Sequence, residues 1–269
     1  HAPSQAALDY VDGATAWTAH NGLDDFTANI TGRLFEGWAG PVKAAAGLEY
    51  QQQNLSLTTT APDSVFNPQY LRVGGATGAS LPVGNLKWMK ETQSAAQGDG
   101  SVYEGDIELN IPLLRGLPGI ELLSFDGAYR YTHYSTAGPA NTWKIALDWQ
   151  MIDDIRLRGS YSRDIRAPTL FDLFQGPLTS SAGISDSLTN TSGSVNTTQA
   201  GNPNLKPEVA HNATAGFVYS PSWWDDFSLS ADYFHIAIDN AIGTVNGGNS
   251  VIQNLCLASG GSSPLCNLI

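Results

Sequence analysis

The chain has 269 residues, enough for one large domain or two small ones, and a net charge of −12. That balance disfavours nucleic acid as a partner, because a phosphate backbone asks for a cationic surface. Only 14% of the residues are charged, against roughly 25% in ordinary soluble domains. No run approaches the roughly 20 apolar residues that a spanning helix needs. Barrel strands, however, hide their apolar residues at every second position, so a membrane protein stays open.

Residues 1–23 read as the polar tail of a loop, with a helical turn over 5–10. A strand is expected over 25–35, with Phe26, Ala28, Ile30 and Leu34 on one face and Thr27, Asn29, Thr31 and Arg33 on the other. A tight turn over 36–40 ends at Pro41. The return strand, 42–53, sets Val42, Ala44, Ala46, Leu48 and Tyr50 against Lys43 and Glu49. Residues 55–100 read as a long loop. Its run Gly74-Gly75-Ala76-Thr77-Gly78 lacks a preceding buried strand and a Gly-Lys-Ser/Thr, so it is no phosphate loop.

The next strand, 102–111, opposes Tyr103, Ile107, Leu109 and Ile111 to Glu104, Asp106, Glu108 and Asn110. Carboxylates at i, i+2 and i+4 span ~13 Å along a strand, too far for one metal site. They read better as the lining of a wet interior that pairs with cations. After a turn over 113–119, a strand over 123–133 places Leu123, Phe125, Tyr129 and Tyr131 opposite Asp126 and Arg130. A strand over 142–150 places Trp143, Ile145, Leu147 and Trp149 opposite Lys144 and Asp148.

The strand from 155 alternates strictly, with Ile155, Leu157, Gly159 and Tyr161 against Arg156, Arg158, Ser160 and Ser162. Ala167-Pro168 breaks it, since proline cannot donate to a ladder. The apolar knot Leu170-Phe171-Asp172-Leu173-Phe174 opens a long polar loop that closes on Asn202-Pro203-Asn204-Leu205-Lys206-Pro207-Glu208. Strands follow over 209–219 and from Phe227. In the last one the apolar phase flips from Tyr233 to Phe234, Ile236 and Ile238, which reads as a bulge or as the strand leaving the membrane. Residues 241–269 read as a loop. It holds Cys256 and Cys266, which are expected to bridge in an oxidising compartment, the alternative being two free thiols.

None of the outward residues named is charged, whereas the opposite face carries Arg33, Lys43, Glu49, Glu104, Asp106, Glu108, Asp126, Arg130, Lys144, Asp148, Arg156, Arg158 and Asp232. A soluble barrel would need that second face as its core and would bury those charges unpaired. The pattern predicts an inverted barrel, apolar outside and polar inside. The expected fold is an all-β, antiparallel transmembrane β-barrel fragment of about eight strands, with long extracellular loops and short periplasmic turns. Trp38, Trp149, Trp223 and Trp224 fall at or beside the short turns, where an interfacial belt sits. No zinc-ligand spacing, nucleophile elbow or other catalytic motif is present, so no enzyme and no cofactor are expected.

The strand RGSYSRDIRAPTLFDLF, the long polar loop, GNPNLKPE and a strand ending FVYSP together resemble the barrel of TonB-dependent outer-membrane receptors. Trp38-Ala39-Gly40-Pro41-Val42, Ile111-Pro112-Leu113-Leu114 and Ala231-Asp232-Tyr233-Phe234 extend the likeness in the family's order. The resemblance implies a receptor in the bacterial outer membrane that binds a scarce nutrient: a siderophore, haem, cobalamin or an oligosaccharide. Its implied partners are outer-membrane lipid, the TonB protein, a plug domain and the small-molecule nutrient. Residues 1–269 are then expected to be part of one barrel domain, without plug or terminal strands. Candidates for ligand contact are the lumen-facing Glu104, Asp106, Glu108, Asp126, Arg130, Arg156 and Arg158 and the loop residues Phe171 and Phe174. Phe66, Tyr70 and Trp88 are further rings that could stack on sugars. Arg163 and Arg166 fall at the family's basic rim positions, where holding the loop base is favoured over touching ligand. The rival readings are a passive porin and a soluble β-sandwich binding module.

Overall fold

The structure, a computed structural model, describes residues 3–7, 14–60, 94–186, 191–224 and 226–268. Eight strands form one antiparallel sheet: β1 (Trp17–Gly37), β2 (Gly40–Thr59), β3 (Ala96–Leu117), β4 (Ile120–Tyr134), β5 (Gly138–Ile152), β6 (Ile155–Arg166), β9 (Glu208–Tyr219) and β10 (Leu229–Asp239). They pair in the order β1-β2-β3-β4-β5-β6-β9-β10. The up-and-down order follows from the short hairpin turns, which leave neighbours in sequence as neighbours in space. The two remaining strands, β7 (Leu178–Asp186) and β8 (Thr191–Gln199), form a separate hairpin within the β6–β9 connection.

The register places the two expected faces on opposite sides of this wall. Arg33 pairs with Lys43, Lys43 with Asn110, Asn110 with Asp126, and Asp126 with Ala146. One step along, Ala44 pairs with Leu109, Leu109 with Gly127, and Gly127 with Ile145. The polar face is concave. Residues of β1 to β6 and of β9 line a trough of about 800 Å³ on it, among them Lys43, Glu108, Asp126, Lys144 and Arg158. On the other face Leu48 is 68% and Leu147 49% exposed. Among the described residues no second sheet covers these side chains, as a sandwich would require. Among the same residues no helix is long and apolar enough to cross a membrane, a result that bears on helices alone.

The short-turn edge is tied together by indole groups. Trp38 Nε1 donates to the Leu113 carbonyl, and Trp149 Nε1 donates to the Gly119 carbonyl at 3.1 Å. Trp224 stacks on Phe227 with ring centroids 4.6 Å apart. Bulges interrupt the ladder between Arg33 and Phe35, Pro112 and Leu114, and Gln150 and Ile152, all close to this edge. None of these three is visible in the alternation, because each lies where the apolar pattern is already ending.

Several expectations need correction. β1 begins at Trp17 rather than near residue 25, and β2 and β3 reach Thr59 and Ala96. These extensions carry His20, Asp24 and Asn54 on the outward phase, so they lack the apolar alternation that marks lipid contact. The Gly74–Gly78 run, Phe66, Tyr70 and Trp88 lie outside the described residues. The β6–β9 connection is not an unstructured loop: it opens with a helix, α1 (Leu170–Phe174), and continues into the β7–β8 hairpin. Residues after β10 hold a second helix, α2 (Ser250–Ala258), and a 3-10 helix, Pro264–Leu268. The phase flip in β10 is not a bulge, since its pairing with β9 is unshifted from Leu229–Tyr219 to Asp239–Val209. Phe234, Ile236 and Ile238 therefore stand on the concave face.

Leu147 and Ala146 are neighbours on β5 with opposite assignments. In the complete barrel folded into lipid vesicles, Leu147→Arg should cost about 2–4 kcal/mol of unfolding free energy, the range for a cation on the lipid face. Ala146→Arg should stay within about 0.5 kcal/mol, as for a surface change. Denaturant titration of the two variants measures the difference.

Candidate functional site

The concave face is organised by arginines that reach along or across strands. Arg156 Nε donates to Asp148 Oδ1 and Oδ2 at 2.8 and 3.0 Å, linking β6 to β5. Arg158 binds Asp232 through Nε and Nη2, at 2.8 and 2.6 Å. Such two-point contacts fix orientation as well as distance. Arg158 and Asp232 lie on β6 and β10, with β9 between them, and the residue in register with both is Gly216. A Cβ at Gly216 would come within 1.9 Å of Asp232 Oδ1, so the pair depends on that missing side chain.

A second cluster lies on β3 and β4. Arg130 reaches Glu104 at 3.2 Å and Asp106 at 3.9 Å, and the Thr132 hydroxyl donates to Glu104 at 2.8 Å. Asn110 donates to Asp126 at 2.8 Å. Among the described residues Arg33, Lys43, Glu108 and Lys144 take part in no ion pair. Of the seven lumen residues named from sequence, Glu104, Asp106 and Arg130 thus come together. Asp126 and Glu108 sit on the trough, and Arg156 and Arg158 belong to separate pairs. No group of three His, Cys, Asp or Glu that could hold a metal occurs among the described residues.

The long-loop edge has its own small core. Leu55, Leu57 and Ala96 cluster on the concave face, with Leu170 of α1 packed against them. α1 is capped at Thr169, whose hydroxyl accepts from Asp172 N while Asp172 accepts from Thr169 N. Leu173 is 2% exposed, and Phe174 lies over Gly98, where a Cβ would meet its ring at 2.1 Å. Phe174 therefore anchors the loop to β3, whereas Phe171 remains partly exposed. Asn202 N donates to the Asp172 carbonyl at 2.9 Å and Gly201 N to that of Gln175 at 2.8 Å. The two ends of the β6–β9 connection, each singled out in the sequence, meet at this point.

Arg166 holds the base of that connection. It donates to both oxygens of Glu208, at 2.7 and 3.0 Å, and lies 3.9 Å from Asp172 of α1. Glu208 also accepts from Ile242 N at 2.5 Å, which joins the segment after β10 to the same point. The run Asp239-Asn240-Ala241-Ile242 is part of the resemblance to the family, but the role of Ile242 could not be read from it, because its contribution is a backbone amide. Farther along, Cys256 and Cys266 form a disulfide, and Gln253 of α2 donates to the Ser185 carbonyl of β7 at 3.0 Å.

The comparisons with known proteins agree with this architecture. The family described as TonB dependent receptor-like, beta-barrel matches residues 2–261. The chain belongs to this family of TonB-dependent receptors. Members of the family are outer-membrane β-barrels and are transporters rather than enzymes. Among solved structures, the ferric enterobactin receptor PfeA of Pseudomonas aeruginosa in complex with enterobactin is similar. It is 23% identical with a TM-score of 0.53, over 81% of this chain and 27% of that one. The siderophore receptor PirA of Acinetobacter baumannii is 18% identical, with a TM-score of 0.53 over 81% of this chain and 27% of its own. At these identities the likeness is one of fold. The chain spans less than a third of the length of those receptors.

Replacing Arg166 by Ala removes the contacts to Glu208 and Asp172 together. In the TonB-dependent receptor, limited proteolysis within 170–205 should then quicken several-fold, while the barrel's thermal unfolding stays close to wild type. Equal cleavage rates would show that the loop base is held without Arg166.

Proposed function

We propose that this chain forms part of the barrel wall of an outer-membrane receptor that imports an iron siderophore with energy delivered by TonB. The observation that carries the reading is the family match across 2–261, together with similar folds in receptors that bind siderophores. The short turns would face the periplasm, and α1, the β7–β8 hairpin and the segment holding α2 would face outward to the medium. Among the described residues both β1 and β10 have one unpaired edge, so further strands would complete the wall. A plug domain inside the barrel would meet the charged trough. Glu104, Asp106, Glu108, Asp126, Arg130, Arg156 and Arg158 then line a wet passage, where water offsets the cost of their charges. Phe171, left partly exposed at the outer rim, is the ring best placed to meet ligand.

The test uses the complete protein in cells with and without TonB. Uptake of a labelled ferric siderophore from a panel should depend on the receptor and disappear when TonB is deleted. Small solutes passing regardless of TonB would instead make the protein a porin. TonB-dependent uptake of haem, cobalamin or an oligosaccharide, but of no siderophore, would keep the receptor and overturn the ligand class.

A further inference from the structure

Two outer connections run side by side. One leads from β6 to β9 and holds α1 and the β7–β8 hairpin; the other follows β10 and holds α2. At their bases Glu208 accepts from Ile242 N. Next along both, Gln199 Nε2 at the end of β8 donates to Thr244 Oγ1 at 3.4 Å. Ile184 of β7 then packs beside Gly248, where a Cβ would stand 3.5 Å from its Cγ1. Finally Gln253 Nε2 of α2 donates to the Ser185 carbonyl at 3.0 Å and to the Gly248 carbonyl at 3.3 Å. Residues 240–269 carry no charged side chain. Beyond Glu208, the two connections therefore meet through neutral hydrogen bonds and packing.

Neither partner is stable by itself. The strands of the hairpin pair only with each other among the described residues, and a lone two-stranded hairpin is marginal in water. α2 has nine residues, whereas an isolated helix needs roughly 12–15 to persist. No apolar face holds it down: its one buried residue is Gln253, while Val251 is 61% and Leu255 50% exposed. Its ends are fastened instead. Asn249 caps the start by accepting from Val251 N at 2.8 Å. The disulfide ties the last turn, at Cys256, to Cys266 of the 3-10 helix. Gly260 and Gly261, both at positive φ, let the chain double back between them. α1 is held by other means, with Leu173 buried, Phe174 over Gly98 and Arg166 near Asp172.

We propose that the disulfide-stapled α2 segment is a strap for the β7–β8 hairpin, and that a dithiol reductant releases the hairpin while α1 stays docked. The dithiol breaks the Cys256–Cys266 bond by exchange; each sulfur leaves as a thiol with one proton, and the reductant becomes a disulfide. α2 then loses the fastening of its last turn, and Gln253 withdraws from Ser185. The hairpin is freed from Ile184 to Gln199, because its remaining contacts lie on the same segment. Glu208 and Arg166 keep the base of the connection, since their ion pair involves neither cysteine. The outer face thus divides into a fixed part on β3 and a part whose freedom follows the redox state of one bond. The inference is independent of which ligand enters the lumen.

The test is amide hydrogen exchange, read by mass spectrometry, on the full-length protein in detergent. Four samples are compared: oxidised wild type, wild type reduced with dithiothreitol, the double variant Cys256→Ser with Cys266→Ser, and Gln253→Leu with the disulfide intact. Amides in 178–186 and 191–199 should exchange about fivefold faster in the last three than in the first, while those in 170–174 stay within about twofold. Unchanged exchange of the hairpin in the double variant or in Gln253→Leu overturns the strap. Equal quickening in 170–174 also overturns it, because the whole outer face would then have loosened. A hairpin already unprotected in oxidised wild type shows that nothing holds it. The mass of the peptide spanning 250–269 reports the state of the bond, and a disulfide that survives dithiothreitol overturns release by a dithiol. Heat-modifiable migration of the same samples reports barrel formation, so a misfolded variant is seen separately from a released hairpin.

Discussion

The structure depends on one geometric constraint, the two-residue period of the pleat carried in register across eight strands. Because Lys43, Asn110 and Asp126 fall in one row, the residues beside them, Ala44, Leu109 and Gly127, fall in one row on the other face. A slip of a single residue on any strand would turn its charges toward lipid and its apolar groups toward the passage. The arginine pairs reinforce the register, since each joins residues carried by different strands. Arg158 shows this most plainly: it reaches Asp232 because Gly216, and no side chain, stands in the row between them.

The wall was legible in the sequence wherever lipid contact imposes alternation. The middle segments of β1 to β6 and of β9 were readable for that reason, and so were the short turns at Trp38-Ala39 and Asp153-Asp154. Strand ends were not. Beyond the apolar band the outward face carries polar residues such as His20, Asp24 and Asn54, so the alternation of lipid contact stops, and Leu55 and Leu57 instead alternate on the concave face against Leu170. The hairpin β7–β8 escaped because its strands are rich in Ser and Thr and, among the described residues, pair only with each other. In β10 the flip from Tyr233 to Phe234 looked like a bulge, but the ladder is unbroken. The strand changes surroundings there rather than register.

The candidate site was legible in composition but not in its pairings. Which carboxylate takes which arginine depends on strands far apart in sequence, as with Arg158 and Asp232. Arg166 holds the loop base as expected, whereas Arg163, expected to do the same, donates to the Asn141 carbonyl of β5; the link from Glu208 to Ile242 runs through a backbone amide, whose role no side-chain pattern marks. Phe174, a candidate ligand contact, covers Gly98. A ring in a polar loop has two uses, and only the facing glycine decides between them. The outer face of the molecule therefore combines held parts, α1 and the Arg166 point, with partly exposed ones such as Phe171.

Each strand of the wall is divided into a lipid face and a water face. Single cysteines placed from Thr142 to Gln150 of β5, in the complete receptor within outer membranes, test it most directly. With a water-soluble maleimide, positions 144, 146 and 148 should label readily and positions 145, 147 and 149 should resist. Labelling that rises and falls with a period of two supports the inverted barrel. Uniform labelling, or the opposite phase, would contradict it.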